Sequence, residues 1–287
     1  MTSITKSLRF LVAAGLLATG AQTAVAAEST AIARQSWPFA GFFGTFDQAQ
    51  LQRGYQVYSE VCAACHELQR IPFRNLAQKG GPAFPEASVR ALAASVQVED
   101  GPNDQGQMYK RPGRLSDKPP PLYANDKEAR SIHNGALPPD LSLMARARNT
   151  ENIASWIIHP FLMLRDIAVG YQEGGADYIY ALLTGYHEKP PEGVHVMEGM
   201  NYNAAFPGHQ IGMANPFAGG DGQVKYEDGT PATVDNYARD VAAFLSWTAD
   251  PNHDQRKQTG WAVILYLIVT AVLLYIGKKR IWARIPH

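Results

Sequence analysis

The sequence predicts a mainly α-helical protein, an exported domain with long loops carried on one C-terminal transmembrane helix. Three observations predict it. The chain opens on a charged and then apolar leader, and it closes on an 18-residue stretch without charge. Between the two, apolar residues recur at spacings of three and four in separate blocks divided by glycine- and proline-rich text.

The leader carries Lys6 and Arg9, an apolar run from Phe10 to Leu17 and small residues at Ala24-Val25-Ala26. This is a secretory signal with an A-x-A cleavage site, because the apolar run is too short to cross a bilayer. At the other end, Gly260 to Gly277 reaches roughly 27 Å as a helix, enough for the hydrocarbon core. A buried globular helix would carry a polar face, and this one is apolar all round. Trp261, Tyr275 and Trp282 lie at or near its ends as interfacial anchors do, and Lys278, Lys279, Arg280 and Arg284 place the tail in the cytoplasm. The expected map is a signal peptide over 1–26, an exported domain over 27–259, a transmembrane helix over 260–277 and a cytoplasmic tail over 278–287. The expected location is a bacterial inner membrane, crossed once, with the domain on the periplasmic side.

The 26 basic and 26 acidic residues balance over the whole chain. Two basic residues leave with the signal and four lie in the tail, so the exported domain carries about −6. Glu99, Asp100 and Asp104 form a local acidic run, which is either a solvated face or a patch that steers a basic, diffusing partner. No nucleic-acid partner is expected.

Both cysteines fall in the pentad Cys62-Ala63-Ala64-Cys65-His66. Two thiols at this spacing reach the two vinyl groups of one porphyrin while the adjoining imidazole serves as proximal iron ligand, so C-x-x-C-H is the attachment signature of c-type haem. A disulfide here would close a tiny strained loop. A thioredoxin-type pair belongs after a strand in a βαβ pattern, and zinc needs four ligands where no second cysteine pair exists. One pentad means one covalently bound haem c.

In chain order, residues 27–46 form an irregular aromatic arm. Asp47 caps a helix in which Leu51, Tyr55, Tyr58, Val61, Cys62 and Cys65 share a face, and which Pro72 ends. A second helix covers Glu86 to Val96, a long loop covers 101–121, and a third helix covers Asn125 to Asn134. Gly135 to Leu141 then turns into a short segment ending at Arg146 and Arg148. Pro138 and Pro139 either wall a buried ring or serve as turn residues. Trp156 to Leu164 is an apolar run broken by Pro160, too short to cross a membrane and therefore buried, interfacial or in contact with a partner. A helix over Ala176 to Gly185 precedes a loop over 190–220. Thr233 caps the last helix of the domain, and Asp250-Pro251 separates it from the membrane helix.

A dedicated electron carrier needs a sixth ligand, and a thioether there favours the ferrous state. Met144 and Met163 lie in apolar periodic stretches and read as core; Met108, Met197 and Met200 lie in loops with charged neighbours. Met213 ranks first on context, since Gly212 and Ala214 permit close approach and Pro216 stiffens the loop. The histidines His133, His159, His187, His195, His209 and His253 are the rival class, each more often a surface or satisfied residue than a ligand.

Arg53 to Tyr58 before the pentad, Asp100-Gly101-Pro102-Asn103, Arg111-Pro112-Gly113, Asn134 to Ser142, Tyr178 to Gly185, Ile211-Gly212-Met213-Ala214 and Asp228 to Thr233 together resemble the cytochrome c1 family, the haem subunits of the quinol:cytochrome c oxidoreductase or bc1 complex. The resemblance runs from about Trp37 to the tail. It implies a cytochrome c-like domain with Cys62 and Cys65 bound to haem and with His66 and Met213 on the iron. It also implies Arg148 and Tyr178 beside a haem propionate, which an arginine would hold by a charge-assisted bond. It further implies a monohaem carrier that takes electrons from the Rieske iron-sulfur subunit, beside cytochrome b, and passes them to a soluble or membrane-tethered cytochrome c. No substrate bond would be made or broken on the chain, so it is not an enzyme by itself. The alternative is a free-standing membrane-anchored c-type shuttle outside any complex; from the enzyme class, the rival is a peroxidase or ligand sensor with an open sixth site. The sequence departs from the family in two places. Residues 149–173 look longer than in the mitochondrial form, and the extra cysteine pair that braces the ligand loop in some bacterial relatives has no counterpart here, which leaves packing to hold Met213.

Overall fold

A computed structural model of the chain describes residues 32–148, 160–161, 164–165 and 172–284. The leader, His159, Met163 and most of the apolar run from Trp156 lie outside the described residues; within that run, Phe161 and Leu164 are exposed.

The described residues hold seven α-helices and two small antiparallel sheets. In chain order these are α1 (Gln48–Val57), α2 (Glu86–Ala94), β1 (Gln97–Asp100), β2 (Tyr109–Pro112), α3 (Asp126–Ile132), α4 (Met144–Ala147), α5 (Gly175–Thr184), β3 (Asn201–Tyr202), β4 (Gln210–Ile211), α6 (Val234–Ala249) and α7 (His253–Trp282). The expected caps form. Asp47 Oδ1 accepts from the Gln50 N–H at 2.7 Å and Thr233 Oγ1 from the Asn236 N–H at 3.3 Å.

α6 is the spine of the core. Tyr237, Ala238, Val241, Phe244, Leu245 and Trp247 are all buried, because apolar residues recur around nearly the whole helix. α1 crosses it closely: a Cβ on Gly54 would stand 2.1 Å from the Asp240 carbonyl oxygen, so only glycine permits the approach. Beside the crossing, Arg53 reaches Asp240 at 2.8 Å and Asp228 at 2.8 Å. α5 packs against α6 from another side, and its buried Asp177 accepts from Trp37 Nε1 at 2.6 Å and from the Gln35 N–H at 3.0 Å. The aromatic arm is tied to the core in this way.

The structure differs from the expected elements in three places. The 101–121 loop is partly a hairpin, with β1 paired to β2 so that Glu99 opposes Lys110 and Asp100 opposes Tyr109. Such strands, charged on both faces, carry no period-2 apolar signal. Within the acidic run the hairpin pairs Asp100 with Arg111, which also meets Asp117 at 2.5 Å. The first helix ends well before Pro72, as described below. α7 extends past the uncharged stretch at both ends to 30 residues and buries none of them within the chain.

Candidate functional site

α1 gives way at Val57 to a π-helical turn over Tyr58–Cys62, in which the Ala63 N–H donates to the Tyr58 carbonyl at 2.8 Å. Single π turns inside helices recur at functional sites because they re-aim the side chains that follow. Here the N–H groups of Cys65 and His66 both donate to the Cys62 carbonyl, at 3.1 and 2.9 Å, and the Tyr58 hydroxyl donates to the His66 carbonyl at 3.0 Å. The helix ends at the pentad as a result.

His66 Nδ1 stands 2.8 Å from the Pro139 carbonyl oxygen. A carbonyl only accepts, so Nδ1 carries the proton and Nε2 keeps its lone pair. Burial lowers the imidazole pKa below its ordinary value, which favours this neutral form. The same turn grips the backbone around His66: the Leu141 N–H donates to the Glu67 carbonyl at 2.9 Å, the Gln69 N–H to Asp140 Oδ2 at 2.7 Å and the Arg70 N–H to Ser142 Oγ at 3.1 Å. Pro139 therefore contributes a carbonyl to the site. At Cys62, burial and the neighbouring Cys65 push the thiol pKa up to about 12, the opposite of what a thiolate redox pair requires.

The second half is built on the strands after α5. Asn203, fully buried, donates from Nδ2 to the Leu182 carbonyl at 2.7 Å and accepts at Oδ1 from the N–H groups of Ala205 and Phe206 at 2.9 and 3.1 Å. It pins the end of α5 to the start of the small sheet. From there the Tyr186 hydroxyl and Asn201 Nδ2 both donate to the Met213 carbonyl, at 3.1 and 3.2 Å. Downstream, buried Phe217 packs on Tyr237 of α6 with ring centroids 5.5 Å apart. Met213 is thus held at its backbone by two hydrogen bonds, where packing alone was expected. A methyl group on Gly212 would stand 3.5 Å from the Ala136 Cβ, so the Met213 loop abuts the segment whose Pro139 holds His66. Met200 is its neighbour there, with Sδ 3.8 Å from the same point, while Met108 and Met197 are exposed and Met144 packs against the core.

Among the rival histidines, His133 Nε2 meets the Tyr123 hydroxyl at 2.7 Å and His253 pairs with Asp254 at 2.8 Å. Tyr123 also donates to the Cys65 carbonyl at 3.3 Å. Tyr178 is buried, which raises its phenol pKa, and the exposed Arg148 lies near enough for its charge to oppose that rise. Burial raises the Tyr186 pKa too, and Tyr178 adds to it. Charge thus couples Arg148 to Tyr178 and Tyr178 to Tyr186, and of these Tyr186 meets Met213 directly. No described contact joins Arg148 or Tyr178 to the pentad itself.

Two thiols, a neutral imidazole with Nε2 available and a loop-borne thioether are the donor set of a c-type haem with two axial ligands. Exposed Leu122 and Leu137, on the segments that grip the pentad, suit an apolar macrocycle. Among the described residues, no group of three or more His, Cys, Asp or Glu is arranged to hold a bare metal ion. A family model described as the Cytochrome C1 family matches residues 37–285. The chain belongs to the cytochrome c1 family. This cytochrome c1 chain is 49% identical over 250 residues to the protein named cytochrome c1 of Blastochloris viridis, covering 86% of this chain and 85% of that relative. It is 44% identical over 250 residues to a Saccharomyces cerevisiae protein named "Cytochrome c1, heme protein, mitochondrial", covering 87% of this chain and 72% of the relative. A Bradyrhizobium diazoefficiens protein named "Cytochrome b/c1" is 49% identical over 275 residues; the match takes in 95% of this chain, which spans 39% of that longer relative. The cofactor that the cytochrome c1 family implies is a c-type haem, in agreement with the donor set.

Proposed function

We propose that the chain is the haem-bearing electron-transfer subunit of a quinol:cytochrome c oxidoreductase. It takes an electron from a Rieske iron-sulfur subunit, sits beside cytochrome b, and gives the electron to a soluble or membrane-tethered cytochrome c; by itself it is not an enzyme. Residues 1–26 direct export, 27–259 form the periplasmic domain, 260–277 cross the inner membrane and 278–287 lie in the cytoplasm. One observation carries the reading: the His66 Nδ1 hydrogen bond to Pro139 leaves Nε2 available on the residue that follows Cys65. Cys62 and Cys65 would hold one haem c through thioethers, His66 and Met213 would take the axial positions, and Arg148 and Tyr178 would face a propionate.

A bound c-type haem supplies a one-electron iron centre. Around it the chain's own groups set the properties. The Pro139 carbonyl fixes the tautomer and orientation of His66 and raises its basicity as a donor. The thioether of Met213 would favour the reduced state and a higher potential. Tyr186 and Asn201 hold the Met213 backbone, and with haem bound a thioether held there would close the sixth position to small ligands, which supports a carrier over a peroxidase or sensor. The Arg148 guanidinium would stabilise an ionised propionate.

A pyridine haemochrome spectrum of the purified full chain tests this reading. It predicts one haem per chain with both vinyl groups saturated, resistant to acid-acetone extraction. Extractable haem, or avid carbon monoxide binding by the reduced protein, would contradict it. Extraction in mild detergent should bring a b-type haem and an iron-sulfur protein with the chain; a chain that comes out alone would favour the free-standing shuttle.

A further inference from the structure

We propose that the turn from Pro38 to Thr45 is a second membrane contact, with Phe42 and Phe43 inserted into the periplasmic interfacial layer of the lipid beside Trp261. The turn is closed by the Thr45 N–H donating to the Pro38 carbonyl at 3.2 Å and the Ala40 N–H to the Trp37 carbonyl at 3.1 Å. Its roots, Trp37, Phe39 and Phe46, pack on the core, while its tip points outward, with Phe42 42% and Phe43 79% exposed. Two glycines shape it. Gly41 has φ 71°, and a Cβ on Gly44 would stand 2.0 Å from the Ala40 carbonyl oxygen.

α7 fixes where that tip lies. Lys257 Nζ donates to the carbonyls of Phe39, Gly41 and Gly44, at 2.9, 2.5 and 3.0 Å. One helical turn further, on the same face, Trp261 stacks on Phe43 with centroids 4.9 Å apart and planes 4° apart, and meets Phe42 edge-on at 5.9 Å. Trp261 opens the uncharged stretch, so Phe43 lies within about one helical turn of its depth. Three aromatic rings at the start of a span are the chemistry of an interfacial anchor. Lipid is favoured over a protein partner because the rings continue the outer surface of α7, none of whose residues is buried within the chain. The inference rests on the reading of α7 as a membrane span.

The test uses the full haem-loaded chain in nanodiscs of phosphatidylcholine and phosphatidylglycerol, with a nitroxide on Phe43→Cys and, as a second site, on Phe42→Cys. Leu267→Cys within the span and Ser88→Cys on the domain surface serve as references, and an unchanged haem spectrum certifies each variant. Collision with oxygen should exceed collision with a nickel chelate several-fold at position 43, as at 267 and in contrast to 88. A water-like label at both 43 and 42 with a lipid-like label at 267 would overturn the contact while leaving the span intact; a water-like label at 267 would overturn the span and the contact with it. Shielding of 43 from both reagents in the assembled complex would assign the tip to a protein partner and overturn the lipid assignment.

Discussion

Tyr186 and Asn201 determine how firmly the thioether side of the site is held, because both of their hydrogen bonds end on the same carbonyl of Met213. Tyr186→Phe removes one of them and should cost about 1 kcal/mol in stability by urea denaturation. The same variant should let the reduced protein bind carbon monoxide where the parent does not; unchanged resistance to carbon monoxide would mean that the loop is held by something else. Cys62, Cys65 and His66 could be proposed from the sequence alone because the motif sits in five consecutive residues. Met213 was only first among several methionines until the family resemblance singled it out. Tyr186 and Asn201 were not legible, since their partner is a backbone carbonyl and no side-chain pattern marks a carbonyl acceptor. For the same reason Pro139 read as a wall or a turn residue and not as the group that orients His66.

Among the elements, α1, α5 and α6 were readable from periodicity and caps, whereas the β1–β2 hairpin was hidden by its charged faces. The crossing of α1 on α6 depends on Gly54. Gly54→Ala would place a methyl 2.1 Å from the Asp240 carbonyl oxygen and 2.6 Å from the Phe244 Cβ, so the helices must separate. Overpacking of this kind costs about 1–3 kcal/mol, readable as a lower urea midpoint; a midpoint equal to that of the parent would contradict the crossing. The hairpin and the turn before α6 carry the acid response. Hydrogen bonds from Arg111 hold the Asp100 and Asp117 carboxyls below the usual range, and the Thr230 N–H followed by Arg53 brings Asp228 down to about 2. These folded values lie below the unfolded value of about 3.9, so the carboxylates stabilise the fold above that pH and the contribution is lost as pH falls toward 2. Far-UV circular dichroism should record a loss of structure that begins below about pH 4, smaller in Arg111→Ala; stability that stays flat from pH 4 to pH 2 would contradict the assignment.

At the scale of the whole molecule, residues 27–259 carry a net charge of about −6, and within the acidic run Asp100 is paired with Arg111 in the hairpin. On the proposed function, the net negative charge of that region steers a basic acceptor, and the rate of electron delivery to such an acceptor should fall as ionic strength rises. A rate indifferent to salt would remove steering from the account. The long exposed α7 was legible because an uncharged apolar stretch declares itself by composition, whereas the approach of the Met213 loop to the segment that holds His66 was not. That approach depends on the segment from Asn134 to Ser142, which holds His66 through Pro139 and touches the Met213 loop through Ala136. The central claim is that this fold closes one haem between His66 and Met213. Optical spectroscopy with redox titration of Met213→Leu in the haem-loaded chain tests it most directly: the methionine-to-iron absorption band should vanish and the potential should fall, whereas a band and potential identical to those of the parent would contradict the claim.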